Sequence, residues 1–184
     1  MSNVYLLTGK PGTGKTTLVR EITAGLSIKS GGFYTEEIRV GGIRQGFKIT
    51  ALNGQSAILS HISIASPYRV SKYGVDIEAF NRVGVAAMNE ATEKADLIVV
   101  DEIGKMELFS IPFREAITRA IKSGKKMLGT IMLNPEPFAD LIKKQPGVKV
   151  VNLTRANRIQ VVNELKQWLE TSKNETGNTT DRKD

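Results

Sequence analysis

Eight consecutive residues near the start of the chain, Gly9-Lys10-Pro11-Gly12-Thr13-Gly14-Lys15-Thr16, limit what it can fold into more than any other stretch. They match a glycine, four variable positions, then Gly-Lys-Thr or Gly-Lys-Ser. The flanks decide how the match is read. Before it, Val4-Tyr5-Leu6-Leu7 is short, apolar and bounded by glycine, which predicts a buried strand. After it, Leu18, Val19, Ile22 and Leu26 recur at helical spacing, and the segment closes between Gly25 and Ser30. Strand, glycine loop and helix in that order describe a phosphate-binding loop.

Each residue type in the loop has a physical task. Gly9, Gly12 and Gly14 allow positive φ and close backbone approach, so several amides can point into one concavity. The helix starting near Lys15 adds unpaired N–H groups and the positive end of its dipole. Lys15 offers a mobile charge to the β- and γ-phosphates, and the Thr16 hydroxyl suits a magnesium ion. The nucleotide-binding set predicted here is Gly9, Lys10, Pro11, Gly12, Thr13, Gly14, Lys15, Thr16 and Thr17.

A chain of 184 residues suits one domain, large enough for a sheet with helices on both faces. No apolar stretch approaches the ~18–20 residues of a membrane span, and a cytoplasmic location is expected. With no cysteine, disulfides, thiolate nucleophiles and cysteine-ligated metals are excluded. The net charge of +7 suits a polyphosphate ligand. Its cations are scattered, with no run longer than Lys125-Lys126 or Lys143-Lys144, which speaks against nucleic acid as the main partner. His61 has no second histidine with which to form a ligand set.

Gly31–Val40, Ile43–Leu52 and Gln55–Ser60 read as three strands joined by turns at Gly41-Gly42 and Asn53-Gly54. This antiparallel meander, about residues 31–62, interrupts an otherwise alternating strand–helix pattern. Ser66 to Val75 reads as a loop whose Tyr68, Tyr73, Arg69 and Lys72 either stack a base and touch phosphate or anchor the loop to the core. From Asp76 one helix runs to Asp96, and Ser110 caps another that Gly124 stops. Lys126–Met132 is a strand, Pro135–Lys144 a short helix, and Val148–Leu153 the last strand. Thr154 then caps a helix with Ile159, Val162, Leu165 and Leu169 inward. The domain is expected to end near residue 171, with 172–184 a disordered tail.

The second half of the site is read at Leu97-Ile98-Val99-Val100-Asp101-Glu102, a doubly buried parallel strand ending in two carboxylates. Asp101 holds magnesium beside Thr16, mostly through water, and Glu102, pointing the other way along the pleat, orients or deprotonates the attacking water. A carboxylate of this kind favours hydrolysis. Kinases use their acceptor's hydroxyl and carry an Arg-rich lid, whereas Arg82, Arg114 and Arg119 stand singly on helices.

Asp101-Glu102-Ile103-Gly104-Lys105-Met106-Glu107-Leu108-Phe109-Ser110 resembles the signature of the thermophile-type nucleoside triphosphatases, a family that includes the cancer-related nucleoside triphosphatase. Gly32-Phe33-Tyr34-Thr35-Glu36-Glu37, Tyr73-Gly74-Val75 and Leu153-Thr154 with Asn157-Arg158 are similar to segments of the same family. The resemblance spans the chain apart from its tail. It implies an α/β, three-layer P-loop NTPase, RecA- or kinase-like, with a mostly parallel central sheet. It also implies a Mg²⁺-dependent enzyme that converts ATP, GTP and other nucleoside triphosphates to diphosphate and phosphate, with broad base tolerance and slow turnover. The expected enzyme is a monomer.

Three further cations are candidates, Arg114 among them for the phosphates. Lys105, just past a glycine on the loop leaving the strand, either neutralises γ-phosphoryl charge or pairs with Glu107. Arg158, at a helix start near the last strand, is placed to meet base or ribose. Two other functions stay open at this point: a P-loop kinase of a nucleoside-like or other small acceptor, and a nucleotide-switched module that binds RNA or protein.

Overall fold

A computed structural model describes residues 2–171, so the expected tail lies outside the described residues. Among the described residues nine strands form one mixed sheet, in the order β5-β6-β4-β3-β2-β7-β8-β1-β9. β1 (Val4–Thr8), β8 (Lys126–Ile131), β9 (Val148–Asn152), β7 (Leu97–Ile103) and the start of β2 (Ser30–Val40) run parallel. β3 (Ile43–Ala51), β4 (Ser56–His61), β5 (Arg69–Val70) and β6 (Tyr73–Val75) extend it antiparallel on one side.

The pleat divides the apolar strand residues between two cores. Val4, Leu6, Ile98, Val100 and Met127 face one side, against α3 (Ala86–Lys94), α4 (Ile111–Lys122) and α5 (Pro137–Lys143). Tyr5, Leu7, Leu97, Val99 and Leu128 face the other, against α1 (Lys15–Ala24) and α6 (Arg158–Glu170). Continuous apolar runs such as Leu97–Val100 are the signature of strands covered on both faces. The result is the three-layer α/β architecture expected from the sequence. Among the described residues no helix is long and apolar enough to cross a membrane.

Four local readings change. The expected loop at 66–75 contains β5 and β6, which continue the meander, with Tyr73 buried against Phe47 at 5.5 Å between ring centroids and Tyr68 exposed. The single helix expected after Asp76 is broken: α2 (Ile77–Phe80) passes through a π segment, Asn81–Val85, before α3. Gly84 sits in that segment because a Cβ there would lie 2.5 Å from the Phe80 ring. Thr154 does not cap α6. It and Asn157 bond each other's backbone amides across a turn, and the helix begins at Arg158 with Ile159 79% exposed and Val161 inward. The helix expected from Pro135 starts at Pro137, because the Glu136 carboxylate caps it by accepting from the Ala139 amide. Ser110 does cap α4, accepting from the Phe113 amide at 3.1 Å.

One backbone approach decides how β2 meets β7. Gly32 has φ 117°, and a Cβ there would stand 1.9 Å from the Val99 carbonyl oxygen. Both strain and overlap oppose a side chain. Gly32→Ala is therefore expected to destabilise the fold by ~3 kcal/mol or more, read as a lower urea midpoint; a midpoint unchanged from wild type would contradict this packing.

Candidate active site

The loop after β1 has the backbone its glycines predict, with φ of 142°, 78° and 83° at Gly9, Gly12 and Gly14. At Gly9 a Cβ would lie 2.6 Å from the Leu153 carbonyl oxygen, so the loop presses directly on the end of β9. Gly14 is the N-cap of α1 and supplies no side-chain acceptor, so the helix's leading amides remain available to a ligand. The Lys15 ammonium donates to the carbonyls of Gly9 at 2.9 Å and Lys10 at 3.1 Å, which folds it over the loop.

Across from the loop, β7 delivers its carboxylates. The Thr16 hydroxyl donates to Asp101 Oδ1 at 3.1 Å and the Thr130 hydroxyl to the same oxygen at 2.6 Å. The Thr35 hydroxyl donates to the Asp101 carbonyl at 2.5 Å. Asp101 is buried, and its Oδ2 has no hydrogen-bond partner. Burial pushes its pKa up, against the pull of the Thr130 and Thr16 hydroxyls. A buried carboxylate oxygen without a donor is a costly arrangement that a hard cation relieves.

Glu102 departs from the expected pleat. Register between β7 and β8 slips between Val100 and Ile103, and Asp101 and Glu102 line the same cleft. Burial raises the Glu102 pKa, the neighbouring Asp101 charge raises it further, and Lys15 lowers it. Beneath it lies Glu107, in the 3₁₀ turn Glu107–Phe109, 4% exposed and pushed up to about 8 by burial and then by Glu102. Both glutamates close on Gly104: a Cβ there would stand 3.0 Å from Glu107 Oε2 and 3.3 Å from Glu102 Cδ. In the sequence, Glu107 reads only as a partner for Lys105. Its burial depends on how the turn folds back under β7, which spacing alone does not reveal.

The cleft has a volume of about 710 Å³. Gly9, Pro11, Gly12, Gly14, Lys15, Thr16 and Thr17 line it, with Asp101, Glu102 and Thr130 opposite. Its remaining wall comes from α1 and the meander, through Arg20, Thr35, Glu36, Glu37, Arg44 and Phe47, and from the segment after β8, through Met132, Leu133 and Asn134. Arg20 pairs with Glu36 at 2.9 Å and lies over the Tyr34 ring at 4.8 Å, while Arg44 pairs with Glu37 at 2.8 Å. The one sequence signal for this wall is the Gly32–Glu37 segment, which belongs to the resemblance without a role attached.

Four predicted residues stand outside that lining. Lys10 is exposed, and Thr13 ties the loop by donating to the Lys10 carbonyl at 3.0 Å. Arg158 pairs with Glu21 at 2.7 Å and reaches the Gly14 carbonyl at 3.4 Å, buttressing the loop from behind. Lys105 is exposed and forms no ion pair with Glu107 among the described residues. Arg114 is also engaged elsewhere, donating to the Leu108 carbonyl at 2.7 Å with its guanidinium over the Phe138 ring.

The chain is similar to known proteins along most of its length. A family model described as NTPase matches residues 4–166. The nucleoside-triphosphatase THEP1 of Thermotoga maritima is 42% identical over 170 residues, which cover 92% of this chain and 97% of that protein. The cancer-related nucleoside-triphosphatase of Homo sapiens is 34% identical over 189 residues, covering 94% of this chain and 100% of that one. The crystal structure of THEP1 from the hyperthermophile Aquifex aeolicus is similar at a TM-score of 0.84, with 33% identity over 91% of this chain and 99% of that chain.

Glu107 has a consequence for stability. Its folded pKa of about 8 lies above the ~4.3 of an unfolded glutamate, so the folded state holds the proton longer. Stability from this group is complete below the unfolded value and falls as pH rises toward the folded one, by up to ~1.4 kcal/mol per pH unit. Glu107→Gln should flatten the decline of the urea midpoint between about pH 5 and pH 8. Equal slopes in variant and wild type would mean that Glu107 is already ionised in the folded protein.

Proposed function

The chain belongs to the NTPase family and is a nucleoside-triphosphatase, and we propose that its cleft carries out the hydrolysis by triphosphate positioning and water activation. The amides of the loop from Gly9 to Gly14, the start of α1 and the Lys15 ammonium hold the β- and γ-phosphates. Glu102 orients the attacking water and accepts its proton as the γ-phosphoryl group leaves the β-phosphate oxygen. A carboxylate whose pKa is raised by burial suits that task, since a stronger base takes the proton more readily. Products are the nucleoside diphosphate and phosphate.

One observation carries the proposal. The loop and the acid-bearing strand converge at the bond from the Thr16 hydroxyl to Asp101 Oδ1, at 3.1 Å, with the second oxygen of Asp101 free of donors. These hard oxygens fit Mg²⁺, which Thr16 and Asp101 would hold. When bound, the ion neutralises charge on the phosphate oxygens.

Broad base tolerance follows from what the cleft recognises. Loop amides, Lys15, Thr16, Asp101 and Glu102 address the phosphates and the ion, which every nucleoside triphosphate shares. Arg158, the residue expected to meet the base, is engaged by Glu21 and the Gly14 carbonyl. Slow turnover has a parallel rationale: Arg20 and Arg44, the arginines in the cleft wall, are paired with Glu36 and Glu37.

Glu102→Gln is expected to keep nucleotide affinity and lose ~10²–10⁴-fold in kcat, while Lys15→Ala loses binding in calorimetry. Full turnover in the glutamine variant would exclude Glu102 as the base. Lys105, exposed outside the cleft lining, tests the cation assignment: Lys105→Ala should lower kcat by no more than ~3-fold, far from the ~10³–10⁵-fold of a charge-stabilising finger. Phosphate release from ATP, GTP, CTP and UTP should agree within ~10-fold in kcat/KM and vanish with chelator. A single strongly preferred base would refute recognition through the phosphates alone.

A further inference from the structure

The cleft wall has a second side. Behind Arg44 and Phe47, which line the catalytic cleft, a recess of about 560 Å³ opens between the tip of the β2–β3 hairpin, the β5–β6 turn and the loop after β7. Arg44 and Phe47 line both spaces and stand between them. The chemistry of the recess is divided. Phe47, Val70 and Met106 supply an apolar floor, and Arg39, Arg44 and Lys72 supply cations around it. Exposed Ile43, at the hairpin tip, extends the apolar part.

The aromatic part of the floor is packed on buried Tyr73. Phe47 packs against Tyr73 at 5.5 Å with planes 74° apart, and Tyr73 is 5% exposed. The Tyr73 hydroxyl accepts from Arg44 Nε at 3.1 Å, and the Arg44 guanidinium lies 5.1 Å from the Phe47 ring centroid. Lys72 stands 5.6 Å from the Tyr73 ring, presented by a turn whose Ser71 has φ 54°. Glu37 is the acid facing this group, pairing with Arg39 at 2.5 Å and Arg44 at 2.8 Å. Three cations against one carboxylate leave an excess of positive charge beside a flat apolar surface. Guanidinium forks bind phosphate in two-point fashion, and a guanidinium over an aromatic ring is a platform on which a further planar ring stacks.

We propose that this recess binds a second ligand carrying a phosphate and an adjacent planar ring, of which a nucleoside monophosphate is the smallest form, distinct from the triphosphate held by the glycine loop. The ring lies over Phe47 and Arg44, and the phosphate meets Arg39 and Lys72. A free mononucleotide and the 5′ end of a single-stranded RNA both present this chemistry. Either occupant would sit beside the cleft, because Arg44 and Phe47 form the partition.

The test is direct binding to the full chain, its glycine loop first filled with magnesium and a non-hydrolysable triphosphate analogue, so that it does not depend on how hydrolysis proceeds. Calorimetric probes are adenosine 5′-monophosphate, a 5′-phosphorylated oligoribonucleotide and ribose 5-phosphate, which keeps the phosphate but lacks the ring. At least one ring-bearing probe is expected to bind one per chain, and the double variant Arg39→Ala/Lys72→Ala to weaken it at least ~10-fold. The same variant should leave basal triphosphate hydrolysis within ~2-fold and the melting temperature unchanged, and Arg39→Lys/Lys72→Arg should restore binding. Saturation by the monophosphate supports the proposal with a free mononucleotide as occupant. Binding of the oligoribonucleotide alone supports it with a strand end. Ribose 5-phosphate binding as tightly as both, affinity unchanged in the alanine variant, or no binding by either ring-bearing probe would overturn it.

Discussion

The structure depends on one shared oxygen. Asp101 Oδ1 accepts from Thr16 on α1 and from Thr130 on β8, while the Asp101 carbonyl accepts from Thr35 on β2. Four elements that are distant in sequence are thereby registered on one residue. Taking a carboxylate out of water costs several kcal/mol unless its oxygens are satisfied. Here one oxygen is satisfied twice and the other not at all. The fold thus tolerates an incomplete polar shell at the point where the triphosphate and its ion are expected to meet.

That shell can exist because the sheet around it is fully covered. Alternating residues of β1 and β7 feed two separate cores, so the strands are fixed from both faces and their C-terminal ends stay in place. Beyond Val100 the regular register with β8 breaks, and two successive carboxylates turn into one cleft instead of opposite faces. Regular pairing supplies the scaffold, and the two carboxylates lie where it is interrupted. Glu107 then adds a third acid beneath them, kept largely protonated by its surroundings.

The meander serves the cleft as well as the sheet. By continuing past the end of its pairing with β7, β2 carries Thr35, Glu36 and Glu37 over the cleft, and β3 returns with Arg44 and Phe47. The partition between the cleft and the neighbouring recess is a pair of β3 side chains, Arg44 and Phe47, held by Tyr73 from β6. Charge on this wall is mostly compensated internally, through Arg20 with Glu36 and Arg44 with Glu37. Free arginines close to the γ-phosphate would act as charge-stabilising fingers.

Local chemistry was legible in the residues themselves. A glycine-spaced loop between strand and helix, an apolar run ending in Asp101-Glu102, and the Ser110 cap are dictated by neighbours along the chain, through φ preferences, periodicity and side-chain-to-amide bonds. What the residues could not disclose required contacts between distant segments. Tyr73 became a strand residue because β5 pairs with it and β4 offered β6 an edge, and Arg158 became a buttress because Gly14 and Glu21 lie opposite it. Glu107 was buried by a turn folding under β7, and the cleft gained Arg20, Glu37 and Arg44 because the hairpin passes over it. The sequence by itself determined the phosphate loop and the acids, since short-range sterics and hydrogen bonding specify them. Only the tertiary structure decided which cations and which third acid surround them, since burial and ion pairing belong to the packed chain.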